Sequence, residues 1–326
     1  MNAQHEDYET ALERAAKVID AADCVTLLCH VNPDGDALGS MLGMHHALRA
    51  VGRASVASFP EPFVIAPHYR DLPGLDLLTP PSELATDPSV VVTFDCGALG
   101  RLGNLRAVGE QADELIVVDH HVSNERYGTI NVIDPRAAAS GVVVRDLIRL
   151  LGLPMTRESA FCLYTALVCD TGRFQYESTT PEVFDLAREL AAFDLPISTL
   201  SRTLFEEHRF AYLQLVADVL ANAHLVPEKR FVWAKVTQED LRRRGVTFEE
   251  VEGTIDLVRR TREADVSCVL KEAADGAWRV SLRSLGPVDV CAIAEREGGG
   301  GHRLAAGFTS DDPAEAVIDR IIASLP

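Results

Sequence analysis

Three short apolar runs in the first half of the chain each stop on an acid or a histidine. No other feature constrains the fold as much. Val25-Thr-Leu-Leu-Cys29 runs into His30-Val-Asn-Pro-Asp-Gly-Asp36, Val90-Val-Val-Thr-Phe94 into Asp95, and Leu115-Ile-Val-Val118 into Asp119-His120-His121. Short runs of aliphatic residues without alternating polarity read as strands buried on both faces. A helical pattern from about Ala37 to Ala50 follows the first run, and Val56 to Phe59 reads as a further strand. Apolar strands alternating with helices predict an α/β fold, a parallel sheet with helices on both faces. In such sheets ligands collect outside the carboxyl ends of the strands. The acids and histidines that end the three runs all fall at that edge.

A helical pattern from about Glu158 to Cys169 leads to Asp170-Thr-Gly-Arg-Phe174, and another runs from Pro181 to Phe193 with proline in its first turn. From about Ser198 to Ala223 turn signals are rare, which predicts a helical connector. Phe231–Val236, Val266–Lys271 and Trp278–Ser284 read as strands of a second, smaller α/β domain. The expected division is residues 1–190 for the first domain, 191–222 for the connector and 223–326 for the second domain. At 326 residues the chain has the length of roughly two ordinary domains.

The chemistry sits in the loops. Pro33 and Gly35 let the loop after the first run curl, so that His30, Asp34 and Asp36 can point inward. A neutral imidazole nitrogen combined with carboxylate oxygens suits Mn²⁺ better than Ca²⁺ or thiolate-bound Zn²⁺. Taken singly, Asp95 and Asp170 read as helix caps. Together, His30, Asp34, Asp36, Asp95, His120 and Asp170 make four acids and two histidines at one sheet edge. That set is enough for two divalent ions, Mn²⁺ first and Mg²⁺ or Co²⁺ as alternatives, with Asp95 as the bridge. Two such ions would hold a hydroxide nucleophile and neutralise a phosphoryl group under attack. His45-His46 lies inside a helical pattern with no acids beside it and reads as structural.

In the second domain, Gly298-Gly299-Gly300-Gly301-His302-Arg303 combines glycines with two potential cations. The run is expected to precede a short helix, whose N-terminus and free backbone N–H groups would attract an anion. It is not a P-loop, because no Gly-Lys-Ser/Thr follows. Arg283 and Ser284, at the end of a predicted strand, would face the same anion.

With these residues in place, the chain resembles a DHH-family phosphoesterase over nearly its whole length. His30-x-Asn-Pro-Asp34-x-Asp36, Asp95, Asp119-His120-His121 and Asp170-Thr-Gly-x-Phe174 stand in the order of that family's motifs. The Gly-Gly-Gly-His run followed by Ala305-Ala-Gly307 is similar to the DHH-associated C-terminal domain. Glu297 departs from the pattern, since many relatives place an aromatic residue before the glycines. There it would either weaken phosphate affinity or face solvent. The resemblance implies one metal on His30, Asp34 and Asp95 and a second on Asp36, Asp95, His120 and Asp170. It implies that Asp119 orients a neighbouring ligand. His121 is implied to reach the substrate phosphate and assist the leaving group. Gly299, Gly300, Gly301, His302, Arg303, Arg283 and Ser284 would bind the nucleotide end of the substrate, in a cleft between the domains.

The two-domain plan resembles the nano-RNase/pAp-phosphatase (bifunctional oligoribonuclease) branch, in its actinobacterial form. That branch implies hydrolysis of short oligoribonucleotides and 3′-phosphoadenosine 5′-phosphate (pAp), and a homodimer. A cyclic-di-AMP phosphodiesterase is the alternative activity. A catalytically dead nucleotide sensor is the alternative class, and it predicts missing ligands. Acids outnumber Lys and Arg 49 to 31, for a net charge of −18, which argues against clamping long nucleic acid. A substrate with few phosphates escapes that objection, because metal ions supply charge locally. Met1–Thr10 lacks a basic-then-apolar signal pattern, and no apolar run nears the ~18 residues of a membrane span, so a soluble cytoplasmic protein without membrane partners is expected. Seven scattered cysteines with no C-x-x-C read as reduced, buried thiols.

Overall fold

A computed structural model describes residues 7–326. Of the N-terminal segment read above for a signal pattern, residues 1–6 lie outside the described residues. The chain forms two compact units, one ending at Glu206 and the other spanning Glu207–Pro326. Among the described residues no helix is long and apolar enough to cross a membrane, and all seven cysteines are free thiols.

The first unit carries α1 (Tyr8–Ala21), β1 (Cys24–Cys29), α2 (Gly35–Ala50), β2 (Ala54–Ser58), β3 (Val90–Phe94), α3 (Arg106–Gln111), β4 (Glu114–Asp119) and β5 (Ile130–Ile133). It continues with α4 (Ser140–Leu150), α5 (Arg157–Asp170), α6 (Pro181–Ala191) and α7 (Ile197–Phe205). The five strands are parallel in the order β2-β1-β3-β4-β5. The apolar runs are buried on both faces because alternate residues serve different cores. Val92, Phe94, Ile116 and Val118 join the large core beneath α2, α4 and α5, while Leu28, Val91 and Leu115 pack with Leu102 and Leu105 on the opposite face. β5 and α4 are additions to the elements read from the sequence. The central position of β3 places its carboxyl end, and so Asp95, between the loops that follow β1 and β4.

α2 and α5 approach at glycine contacts. A Cβ on Gly39 would lie 2.4 Å from the Cys162 carbonyl oxygen, and one on Gly43 would lie 2.8 Å from Leu163 Cδ2. This close crossing brings the N-terminus of α2 and the C-terminus of α5, where Asp34 and Asp170 stand, to the same sheet edge.

The expected continuous helix over Ser198–Ala223 is instead two helices, α7 and α8 (Phe210–Ala221), interrupted at Glu206–Arg209. Arg209 takes an extended conformation (φ −61°, ψ 145°) and forks onto Glu250 at 2.7 and 2.9 Å, with a third bond to the Gly245 carbonyl. That interaction outweighs helix propensity, a weak determinant by comparison.

The second unit continues with β6 (His224–Val226), β7 (Phe231–Val236), α9 (Gln238–Arg244), α10 (Thr254–Val258), β8 (Val266–Glu272), β9 (Trp278–Ser284), α11 (Val290–Arg296), β10 (Gly300–His302), β11 (Ala305–Ser310) and α12 (Ala314–Ser324). Its six strands run β10-β11-β9-β8-β7-β6, with only β7 and β8 parallel. Helices α11 and α12 cover one face, and α8, α9 and α10 pack on the other.

The glycine run does not precede a helix. Gly300–His302 is a strand of a hairpin, antiparallel to Ala305–Ser310, and the short helix lies before it as α11. Glycine disfavours helix, and here it allows close backbone pairing. A Cβ on Gly299 would lie 2.2 Å from the Gly307 carbonyl oxygen, and one on Gly301 would lie 2.6 Å from that of Ala305. Glu297 neither faces solvent freely nor points an unpaired charge at the run. Its carboxylate accepts from Arg320 at 2.9 to 3.2 Å.

Candidate metal centre

Each acid and histidine is placed by the turn it occupies. Asp34 caps α2, its Oδ1 accepting from the N–H groups of Asp36 and Ala37 at 3.1 and 3.0 Å. Its other oxygen stays free to face His30 Nε2 at 3.8 Å. Asp95 sits at φ +53°, a left-handed conformation that short Asx side chains tolerate. Its N–H still donates to Val118 at 3.0 Å, so the strand end stays fixed while the carboxylate turns into the edge.

The side chains converge in two overlapping groups. His30 Nε2 lies 3.5 Å from Asp95 Oδ2. His120 Nε2 lies 3.5 Å from Asp36 Oδ2, 3.5 Å from Asp95 Oδ1 and 3.1 Å from Asp170 Oδ2. His30, Asp34 and Asp95 can offer donors to one ion, and Asp36, His120 and Asp170 to another. Asp95 turns one oxygen toward each histidine. His30, Asp36, Asp95, Asp119 and His120 are all at least 96% buried.

The tautomers suit coordination. Nδ1 of His30 contacts the Val31 carbonyl at 2.9 Å, and Nδ1 of His120 contacts that of Ala137 at 3.0 Å. A carbonyl only accepts, so each Nδ1 carries the proton and each neutral ring presents its Nε2 lone pair to the carboxylates. Buried His30 Nε2 has no hydrogen-bond partner among the described residues. A lone pair surrounded by carboxylate oxygens calls for a cation between them, and mixed nitrogen and oxygen donors fit a divalent transition ion.

The bare cluster shows the same strain electrostatically. Burial pushes Asp36 well above the usual carboxylate range, and the charges of Asp95 and Asp170 add to it. For His30, burial and the charge of Arg101 pull downward, but Asp34 and Asp95 prevail and lift it to about 9. His120 is likewise raised, since Asp170, Asp36 and Asp95 outweigh its burial. Protons on these groups occupy the place a bound cation would take.

Asp119 is saturated by hydrogen bonds. Its Oδ1 accepts from the His120 and His121 N–H groups at 2.7 and 3.2 Å and from His121 Nδ1 at 2.7 Å, and its Oδ2 accepts from Asn124. Burial alone would raise Asp119, but the charge and hydrogen bond of His121 bring it well below the usual range. Asp119 therefore orients His121 and rigidifies the turn.

Sequence reasoning missed the residues that hold the acids in place. Asp36 accepts from Ser140 N–H at 2.6 Å, Gly141 N–H at 3.0 Å and Ser40 Oγ at 2.9 Å, and Ser140 Oγ donates to Asp95 at 3.0 Å. The N-terminus of α4 thus points its unpaired N–H groups at a buried carboxylate. The small-residue run Ala137-Ala-Ala-Ser-Gly141 was the available signal.

In the second unit, His302, Ala305 and Arg283 occupy one cross-strand row, and Gly300, Gly307 and Ser281 the next. His302 and Arg283 therefore flank a strip with little side-chain bulk on one sheet face. Ser284, the next residue on β9, belongs to the opposite face. It is buried, and its Oγ accepts from Gly286. Arg303 lies in the hairpin turn and donates to the Gly286 carbonyl at 2.8 Å.

Comparison with known proteins agrees with this geometry. Residues 24–167 match the model for the DHH family, N-terminal domain, and residues 229–325 match that for the DHHA1 domain. The chain is 32% identical over 312 residues to the bifunctional oligoribonuclease and PAP phosphatase NrnA of Thermus thermophilus, covering 94% of this chain and 91% of that one. It is 28% identical over 309 residues to the probable bifunctional oligoribonuclease and PAP phosphatase NrnA of Streptococcus mutans, covering 94% and 96%. Its fold matches that of an exopolyphosphatase-related protein from Bacteroides fragilis with a TM-score of 0.84 at 23% identity, covering 97% and 95% of the two chains. The chain belongs to the DHH family.

Proposed function

We propose that this chain is a metal-dependent phosphoesterase that hydrolyses short oligoribonucleotides and pAp to mononucleotides. The convergence of His30, Asp34, Asp36, Asp95, His120 and Asp170 at one sheet edge carries this reading. The NrnA relatives support the choice of substrate. His30, Asp34 and Asp95 would hold one ion, and Asp36, Asp95, His120 and Asp170 the other, with Mn²⁺ best suited to these donors. When bound, the ions supply Lewis acidity that activates water and neutralises phosphoryl charge.

The chain's own groups do the rest. Asp119 fixes the proton of His121 on Nδ1, which leaves Nε2 to exchange a proton with the leaving oxygen. His302, Arg283 and Arg303, with the glycine-rich hairpin, would grip the far phosphate or nucleoside of a short substrate. We further expect a cytoplasmic homodimer, which light scattering would test.

The deciding experiment is a panel of RNAs from two to about twenty nucleotides, pAp and cyclic-di-AMP, each with Mn²⁺, Mg²⁺, Co²⁺ or chelator. Dinucleotide and pAp should be the best substrates, and Asp95→Ala should abolish turnover. Preference for cyclic-di-AMP would replace this reading, and full activity in Asp95→Ala would end the metal assignment.

A further inference from the structure

Arg101 has no part in the site described so far. It lies in the 3₁₀ turn Leu99–Leu105 that follows Asp95, and buried Leu102 and Leu105 anchor that turn. Its carbonyl accepts from Val31 N–H at 2.9 Å, which ties its backbone to the residue after His30. The side chain is exposed, and the structure gives its guanidinium no hydrogen bond or ion pair among the described residues. Its positive charge nevertheless bears on His30, Asp34 and Cys29. Through that backbone bond its turn adjoins the loop that carries His30 and Asp34, and Asp34 is itself 42% exposed.

A guanidinium placed to neutralise Asp34 would close onto it, and no ion pair within 4.0 Å forms. The charge count gives another reason for its position. The carboxylates of Asp34, Asp36, Asp95 and Asp170 balance two dications, and Asp119 is paired with His121 at 2.7 Å, so the loaded cluster does not need Arg101 for neutrality. An extra cation beside two metal ions is repelled unless an anion lies between them. We propose that Arg101 is a substrate-binding residue, its planar fork holding the non-bridging oxygens of the phosphoryl group under attack. The phosphoryl group under attack, whether the diester of a dinucleotide or the monoester of pAp, brings negative charge for Arg101 to pair with. This inference rests on the phosphoesterase reading and adds a residue from the first unit to it.

The test uses full-length wild type, Arg101→Gln and Arg101→Lys. With saturating Mn²⁺, kcat/KM for a dinucleotide and for pAp should fall at least 100-fold in Arg101→Gln and be partly retained in Arg101→Lys. Mn²⁺ affinity, read from the free-ion paramagnetic resonance signal, should be unchanged or tighter, because a repelling charge has gone. Added guanidinium ion should restore part of the Arg101→Gln rate without raising that of wild type. Inorganic phosphate should bind Mn²⁺-loaded Arg101→Gln at least tenfold more weakly by calorimetry. Arg101→Gln within threefold of wild type in rate and phosphate affinity would overturn the proposal, as would a rate loss matched by lost Mn²⁺. Wild type inactive on both substrates, with the phosphate difference intact, would instead overturn the substrate assignment and leave Arg101 as an anion ligand.

Discussion

The acids proposed as metal ligands are held by neighbours outside that set. Ser140→Ala removes the hydroxyl donated to Asp95 and leaves the backbone N–H groups that hold Asp36. The expected result is a 10- to 100-fold loss of Mn²⁺ affinity or activity with little change in stability, read by metal titration and thermal melting. The residues proposed as ligands were evident in the sequence because they end apolar runs and stand beside turn residues. Ser140 was not, because its role arises only when α4 docks its first turn against the loop after β1. His45 is a separate case. It is 1% exposed and bonded to Ser55 Oγ at 2.9 Å, and burial, with Arg49 and His46, pushes it from 6.5 down to about 4. The unfolded chain therefore takes up this proton first. The contribution is complete above about pH 6.5 and lost as pH falls toward 4, up to about 3 kcal/mol. Urea midpoints measured from pH 7.5 to 4.5 should fall less steeply in His45→Asn than in wild type, and parallel curves would refute the assignment.

Helix crossings are set by backbone proximity, which makes two similar glycines unequal. Replacing either Gly39 or Gly43 by alanine gains about 1 kcal/mol of intrinsic helix propensity. At Gly39 the new methyl meets the Cys162 carbonyl at 2.4 Å, whereas at Gly43 it meets the movable end of Leu163 at 2.8 Å. Gly39→Ala should therefore be net destabilising by about 1–3 kcal/mol and Gly43→Ala clearly less, as judged by urea denaturation. Equal midpoints would show that the helices slide apart freely. A strand such as Val90–Phe94 was readable from composition, because burial on both faces leaves no polar alternation to confuse the pattern. The break between α7 and α8 and the hairpin at the glycine run were not. The first depends on Glu250, forty-one residues from Arg209, and the second on edge pairing with β11, which in turn pairs with β9.

Taken as a whole, the molecule is strongly acidic, and its predicted cation-binding carboxylates are few against 49 acids. The net negative charge of the whole molecule repels long polyanions. Fluorescence anisotropy with a twenty-base-pair duplex at 50 mM salt should show no binding below about 100 µM, since a nonspecific binder needs many phosphate contacts. Micromolar binding would contradict the short-substrate reading.

The hairpin of the second unit bears on how relatives are recognised. Gly299 and Gly301 have no room for a Cβ because backbone atoms of β11 crowd them, whatever ligand is present. A descendant that had lost catalysis would still need those glycines to fold. Their presence in a genome-derived sequence therefore diagnoses architecture, and the first unit's acids and histidines diagnose chemistry. Surveys that score the glycine signature alone will count inert members as enzymes.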